Sequence, residues 1–418
     1  MEHESILSDA LLRQLMAVGQ VDVLVGLPTL NNAATVVNIA KAIHVSFTRD
    51  LPRLRTVLIN SDAGSTDGTP ELIRDASFEH GDMVQTSHSL RTMHRVVTPY
   101  HGIPGKNTAL QSLFAAAVLT QAETLVVIDP AGPATSAERV TELITPIWRA
   151  EVEFLAPRYR RHPRDGALVT QLVRPLVRAL YGVELDEPLG AEFACSGRFA
   201  SHCLEQDIWQ QDAATFAIDL WLRTEAIAHG LTVGQIWRPP TASAAPTTLR
   251  QAVRQILLSL LVALRAHESF WHTASDAVKL PTWGDDRTKC PGAAEWDHVA
   301  LAAQAQHDIS EIRPLLEGVL DPAILSRLVD EIGASDPRLD DELWVRIVYD
   351  FLGASNRGSA GMDHLADMFV PIYMWRAARF MSFTAHEPDD VAQTRLNTLC
   401  DAFLRLKPLL VNSWTVEV

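Results

Sequence analysis

Cysteine is scarce in this 418-residue chain. The four present, Cys195, Cys203, Cys290 and Cys400, have no CxxC spacing. A disulfide scaffold is excluded, and the expectation is buried thiols in a reducing compartment. Long apolar runs are missing too. The best, Ile256 to Leu264, lies between Arg254 and Arg265 and is about half the length of a membrane span, so it is expected as a buried helix. Positive charge is in deficit, with 36 Lys and Arg against 51 Asp and Glu. The deficit is spread along the chain and leaves no basic arm. That argues against nucleic acid, whose affinity comes mostly from cations neutralising phosphates. Glu2 and Glu4 stand where an export signal would be basic, so a cytoplasmic protein is expected.

What is present is apolar content. A hydrophobic fraction of 47% is that of folded globular chains and excludes disorder. The length suggests two or three domains.

The pattern changes along the chain. Ser5–Val18 has helical apolar spacing. Val21–Leu27 is a short apolar run ending at Pro28, as expected of a buried parallel strand. Thr35–Phe47 reads as a helix, Thr56–Asn60 as a second strand and Arg95–Thr98 as a third. Ala109–Leu119 is a helix again, and Thr124–Asp129 a fourth strand. Alternating strands and helices imply a parallel sheet whose ligands gather at the carboxyl ends of the strands. Arg238–Thr248, rich in Pro, Ala, Thr and Ser, reads as loop or linker. Beyond it the segments Leu249–Phe270, Ala300–Leu320, Ala323–Ile332, Asp341–Ala354, Met362–Phe383 and Asp390–Leu406 read as helices. The expected division is an α/β domain over 1–245 and an all-α domain over 246–418.

Four loops at strand ends offer chemistry. The first, Gly26 to Asn32, presents backbone and amide groups suited to a planar base, with Asn32 as a helix N-cap the plain alternative. The second brings Asp62 to a strand end, followed by the tight turn Ser65 to Pro70. There Asp67 is expected to be a turn or capping residue. In the third, Tyr100 to Asn107, glycines precede Lys106 at a helix start, a phosphate-binding arrangement. The fourth ends in Asp129, a ligand to sugar or metal, or else a capping residue.

Taken together, the stretches VGLPTLNN, INSDAGSTDGTPE, TPYHGIPGKNTAL, LVVIDPAG, RALYGVELDEPLGAEFACSG, FAIDLW, ELWVRIVYDF and LKPLLVNSW resemble the nucleotide-sugar glycosyltransferases of the GT-A fold. Among these the chain resembles the retaining enzymes that make glucosyl-3-phosphoglycerate or mannosylglycerate. The resemblance implies a Rossmann-like, mostly parallel sheet followed by a helical C-terminal domain. It implies transfer of a hexose from UDP-glucose or GDP-mannose to glycerate or 3-phosphoglycerate, with the departing phosphate assisting the acceptor hydroxyl. By the same resemblance Pro28, Thr29, Leu30, Asn32 and Asp62 hold base and ribose, and Lys106 approaches the phosphates. Asp129 lies at the nucleotide sugar. Leu189, Gly190, Ala191 and Glu192 border donor and acceptor, Asp219 faces a sugar hydroxyl, and Arg158 is a candidate at the acceptor. A homodimer is a further implication.

Relatives bind Mg²⁺ or Mn²⁺ through an Asp-x-Asp triplet and a later histidine. Here the triplet is Asp129-Pro130-Ala131, and Arg238–Thr248 contains no histidine, so Asp129 alone remains as a metal ligand. Lys106, Arg158, Arg160 and Arg161 are then candidate replacements as fixed positive charges, unless the arginine run is simply a solvated surface. The same loss raises an alternative function: a pseudo-glycosyltransferase that keeps a nucleotide or sugar pocket, or only an interaction surface. Ser196-Gly197 lacks the pattern of a nucleophile elbow. Trp344, Tyr349, Phe351, Tyr373 and Trp375 recur at helical intervals and are expected in a core or a dimer surface.

Overall fold

The structure is a computed structural model. It describes residues 6–76, 94–99, 106–132, 135–210, 214–239, 246–275, 277–286, 296–334, 340–358 and 360–414. By packing, the chain forms two compact units. One comprises Met1–Arg158, Gly190–Thr241 and Pro281–Asp286, the other Tyr159–Leu189, Ala242–Leu280 and Arg287–Val418. Packing does not follow the single cut near 245, because 159–189 group with the helices and 281–286 return to the sheet.

In chain order the first unit begins with α1 (Asp9–Val18), β1 (Val23–Thr29), α2 (Val36–Val45), β2 (Thr56–Asp62), α3 (Thr69–Ala76), β3 (His94–Pro99), α4 (Lys106–Leu119), β4 (Thr124–Val127), α5 (Ala137–Trp148) and β5 (Phe154–Tyr159). The second unit contributes α6 (Arg174–Tyr181) and a two-residue strand β6 (Val183–Glu184). The first resumes with β7 (Phe193–Ser196), α7 (Gly197–Leu204), α8 (Ala214–Ala228) and β8 (Val233–Arg238). There follow α9 (Pro246–Ala266), α10 (Glu268–Thr273), β9 (Val278–Lys279), β10 (Thr282–Trp283), α11 (His298–Leu316), α12 (Pro322–Gly333), α13 (Asp341–Asn356), α14 (Met362–Thr384) and α15 (Asp389–Trp414).

The sheet has the order β10-β8-β5-β7-β4-β1-β2-β3. β1 lies parallel to β2 and β4, and β2 parallel to β3, whereas β7 runs antiparallel to both β4 and β5. All seven residues of β2 are buried, as a central strand covered on both faces requires. Helices α2 and α5 cover one face over Val25, Leu27, Val126, Leu155 and Ile236, and α4 packs against α7 and α8 on the other. The expected α/β class with a mostly parallel sheet is therefore what the chain adopts.

Two glycines mark close approaches. A Cβ on Gly26 in β1 would lie 2.5 Å from Leu113 of α4, and one on Gly197 would lie 2.0 Å from the backbone oxygen of Ala122. At Gly197 the obstacle is main chain, so α7 starts directly on the end of the β4 approach only because no side chain stands there.

The expected strands at β1, β2, β3 and β4 are present; β5 and β7 were not expected, and Arg238, read as the first residue of the linker, is the last of β8. The linker assigned from Arg238 thus starts one residue too early: Arg238 closes a strand and its side chain is 3% exposed. The single helix expected over Leu249–Phe270 breaks at His267, whose ring accepts or donates at 2.9 Å to the Tyr181 hydroxyl, and α10 begins after it. Cys195, Cys203 and Cys400 are buried free thiols, as expected; Cys290 lies outside the described residues.

In the second unit α6 packs on α15, and α9 and α11 pack on α14. Trp344, Tyr349, Phe351, Tyr373 and Trp375 are all buried. Trp344 donates to the Gln171 carbonyl at 2.9 Å and Tyr349 to the Phe403 carbonyl at 2.6 Å. The aromatic series is therefore core. Arg161, expected as a fixed charge for a ligand or as solvated surface, is neither. It is paired with the buried Glu187 and lies 3.7 Å from Asp165. Among the described residues no helix is long and apolar enough to cross a membrane.

Candidate functional site

The carboxyl edge of the sheet collects groups from six strands. β1, β2 and β4 end there with Thr29, Asp62 and, two residues past its last, Asp129. Because β7 is antiparallel, with Val127 opposite Phe193, its start lies at the same edge, and Glu192 precedes it. The amides of Glu153 and Phe154 both donate to the Thr232 carbonyl, at 2.8 and 3.1 Å. β5 and β8 therefore set out side by side, and Arg158 and Arg238 finish at this edge as well.

The β1 and β2 loops are laced together. Asp62, 3% exposed, accepts from the hydroxyls of Thr29 at 2.9 Å and Ser65 at 2.6 Å through Oδ1. Through Oδ2 it accepts from the amides of Gly64 at 3.0 Å and Ser65 at 2.8 Å. Four donors occupy the lone-pair positions of a carboxylate, so Asp62 organises the loop rather than offering itself outward. Asn31, in the left-handed region at φ 54°, accepts from the Thr66 amide at 2.9 Å. Asn32 donates its amide to Thr69 at 2.9 Å and accepts from the Leu30 amide at 2.8 Å. It is a turn residue; the position capping α2 is Thr35, whose hydroxyl instead donates to the Pro130 carbonyl at 2.6 Å. Asp67 accepts from Thr69 and from the Ala33 amide, and these bonds hold its carboxyl below the usual range. Its expected role as a turn residue stands. Leu30 is left 52% exposed at the tip, beside the half-buried Pro28.

The other half of the edge is charged. Asp129 accepts from the Ala131 amide at 3.0 Å, closing its own turn. Glu192 forms an ion pair with Arg238. Burial pushes the Glu192 carboxyl above the usual range and the negative charge of Asp129 adds to this, while Arg238 and Arg139 oppose it. Arg238 also donates to the Arg139 carbonyl at 3.1 Å, and its Nε–H is buried with no acceptor among the described residues. Burial and the charge of Arg238 both lower the pKa of Arg139. Arg223 is wholly buried and donates to the carbonyls of Asp219 at 2.7 Å, Gly190 at 2.5 Å and Glu192 at 3.1 Å. One guanidinium thus fastens the loop before β7 to α8, setting Gly190, Ala191 and Glu192 in place and holding the turn of α8 that carries Asp219.

Sequence reasoning missed Arg223, Arg238 and Arg139. The available signal was a lone arginine in the apolar run of α8, Leu220-Trp221-Leu222-Arg223, where a solvated charge has no face to occupy. Arg158 stacks its guanidinium 4.4 Å over the Trp237 ring and reaches the Thr282 hydroxyl at 3.4 Å. Leu189 belongs to the second unit. Lys106 opens α4 as expected, but its side chain and the loop 100–105 lie outside the described residues.

No protein-family model matches the chain, and neither does any curated protein. Solved structures do. The chain is similar to a glucosyl-3-phosphoglycerate synthase. With the Mycobacterium tuberculosis enzyme in complex with Mn²⁺, UDP and glucosyl-3-phosphoglycerate it shares 20% identity over 64% of this chain and 87% of that one, at a TM-score of 0.42. With the same enzyme bound to phosphoglyceric acid the identity is 22% over 64% and 86%, again at 0.42. The structure of that synthase described without ligand gives 21% over 63% and 85%, at 0.41.

Among the described residues, those at the edge do not fit the divalent cation implied by the sequence resemblance. Asp129 spends Oδ1 on its own turn, position 131 is an alanine, and the neighbouring carboxylate, Glu192, already faces a guanidinium. Two arginines bring positive charge where a cation would need donors.

Proposed function

We propose that this protein binds a nucleotide sugar, UDP-glucose or GDP-mannose, and transfers its hexose with retention to a small polar acceptor such as glycerate or 3-phosphoglycerate. The observation that carries the reading is the meeting of two arginines, Arg238 and Arg139, with Glu192 at the carboxyl edge of a doubly wound sheet. A guanidinium has five N–H groups in a fork that suits phosphate. A diphosphate would compete with Glu192 for that fork.

The roles then follow from the chain's own groups. Pro28, Thr29, Leu30 and Asn32 border the base on a loop that Asp62 holds rigid. Arg238 and Arg139 offset the charge that grows on the departing diphosphate, a contribution typically worth several kcal/mol in a water-poor site. Glu192 orients Arg238. Gly190, Ala191 and Asp219, tied together by Arg223, border the sugar, and Arg158 lies toward the acceptor. Retention needs no strong side-chain base.

Calorimetry with UDP, GDP and their sugars, with and without Mg²⁺, tests this. Binding that persists in EDTA and is lost in Arg238→Met supports it, as does nucleoside diphosphate release when 3-phosphoglycerate or glycerate is added. Absence of binding to any of these ligands overturns it. A second reading, a non-transferring relative that keeps only the pocket, is favoured by the saturated Asp62 and the self-neutralised Glu192–Arg238 pair. Binding without turnover across an acceptor panel selects it.

A further inference from the structure

A second cluster lies in the same unit at the opposite end of the sheet. β7 leads into α7 at that end, and α8 finishes there before β8 begins. His202 comes from the last turn of α7, Glu225 from the last turn of α8, and His229 follows one turn later, its amide still donating to the Glu225 carbonyl at 2.8 Å. The i, i+4 spacing of Glu225 and His229 puts both on one helix face, and α7 brings His202 to meet them.

The geometry is close. His202 Nε2 stands 2.6 Å from Glu225 Oε1, the two imidazoles stack with centroids 4.0 Å apart, and one ligand atom from each of the three lies within 4.8 Å of the others. Around a zinc ion, donors at roughly 2.0–2.2 Å in a tetrahedron sit about 3.4 Å from one another. His202 and Glu225 need only part slightly, and His229, which is exposed, must turn its ring out of the stack so that its in-plane lone pair points at the same ion. Phe199, buried beneath, stacks on the His202 ring and restricts it. Two neutral imidazoles and a carboxylate are the donor set of three-ligand zinc sites, whose fourth position is left to water.

We infer that His202, Glu225 and His229 bind a zinc-type divalent ion that clamps α7 to α8. No diphosphate or sugar chemistry is involved, so the site stands or falls separately from the carboxyl edge.

The test uses full-length protein without an affinity tag, stripped with EDTA and titrated with ZnCl₂, then with Co²⁺ to read the visible bands of a tetrahedral site. About one equivalent is expected. Affinity should fall by more than about 100-fold in His229→Ala, since even an outer partner of a metal ligand is worth 10–100-fold. Glu225→Gln, which keeps size and shape, should fall likewise while circular dichroism stays unchanged. Asp129→Asn should bind zinc as the parent does. The inference is overturned if no zinc is retained, if both cluster variants bind with parental affinity, or if Asp129→Asn loses the ion while His229→Ala keeps it.

Discussion

The two halves of the carboxyl edge hold their carboxylates in opposite ways. On the β1–β2 side Asp62 and Asp67 are surrounded by amides and hydroxyls, which satisfy them without bringing any counter-charge. On the β4–β7–β8 side Glu192 is held by a guanidinium, with a second arginine close by. The difference is one of exchangeability. A carboxylate bound by four local donors is part of the loop's backbone economy and has no vacancy. A carboxylate bound to an arginine is one anion among those the arginine accepts, so on the function proposed above the charged half is where an anionic ligand would compete.

The largest test of that contrast is Arg238→Met. It leaves Glu192 buried without its partner and should cost about 3–5 kcal/mol in denaturant unfolding. Adding Glu192→Gln should restore most of the stability and none of the nucleotide binding; recovery of binding would break the assignment. Asp62→Ala comes next, at about 2 kcal/mol, because several donors lose one acceptor. Here the binding loss should follow loop disorder, seen as faster amide exchange at Gly64 and Ser65. Unchanged exchange there would show that Asp62 serves the ligand directly.

Lys407 in the helical unit sharpens the comparison as a third case, a buried ammonium whose partner among the described residues is the Ala274 carbonyl. Burial pulls it down from 10.5 to about 8. Between those values the unfolded chain carries the extra proton, so stability gains as pH rises from 8 toward 10. Lys407→Met should remove that rise, a difference of about 1–2 kcal/mol allowing for solvent screening, read from unfolding curves across the range. Identical pH slopes would refute it. The smallest effect belongs to Arg158→Ala, within about 1 kcal/mol for a cation stacked at a partly exposed ring.

Only part of the β1–β2 half was legible. Asp62 lies within three residues of the Gly64 and Ser65 amides and Asp67 within two of Thr69, so turn chemistry announces them, while their bonds from Thr29 and the Ala33 amide cross 33 and 34 residues; β1, β2 and β4 show as apolar runs. The charged half depends on partners far apart in sequence. Arg238 reads as the start of a Pro-rich linker, and only β8's place in the sheet takes it to Glu192. Arg223 meets Gly190 across 33 residues. β7 is four residues long and β5 holds Pro157 and Arg158, so neither carries the run or alternation that marks a strand. His202 and His229 likewise have no shared spacing until α7 and α8 come together.

The reversed direction of β7 has a consequence for how this protein tolerates changes of length. Elsewhere at the edge a residue sits where a strand runs out into a loop and helix, so an insertion there displaces the element that follows. Glu192 sits ahead of its strand. Phe193 is fixed opposite Val127 and Arg223 holds the carbonyls of Gly190 and Glu192, so adding or deleting one residue at 190–191 would cost a buried guanidinium its acceptors, and this short stretch is where the edge tolerates a change of length least.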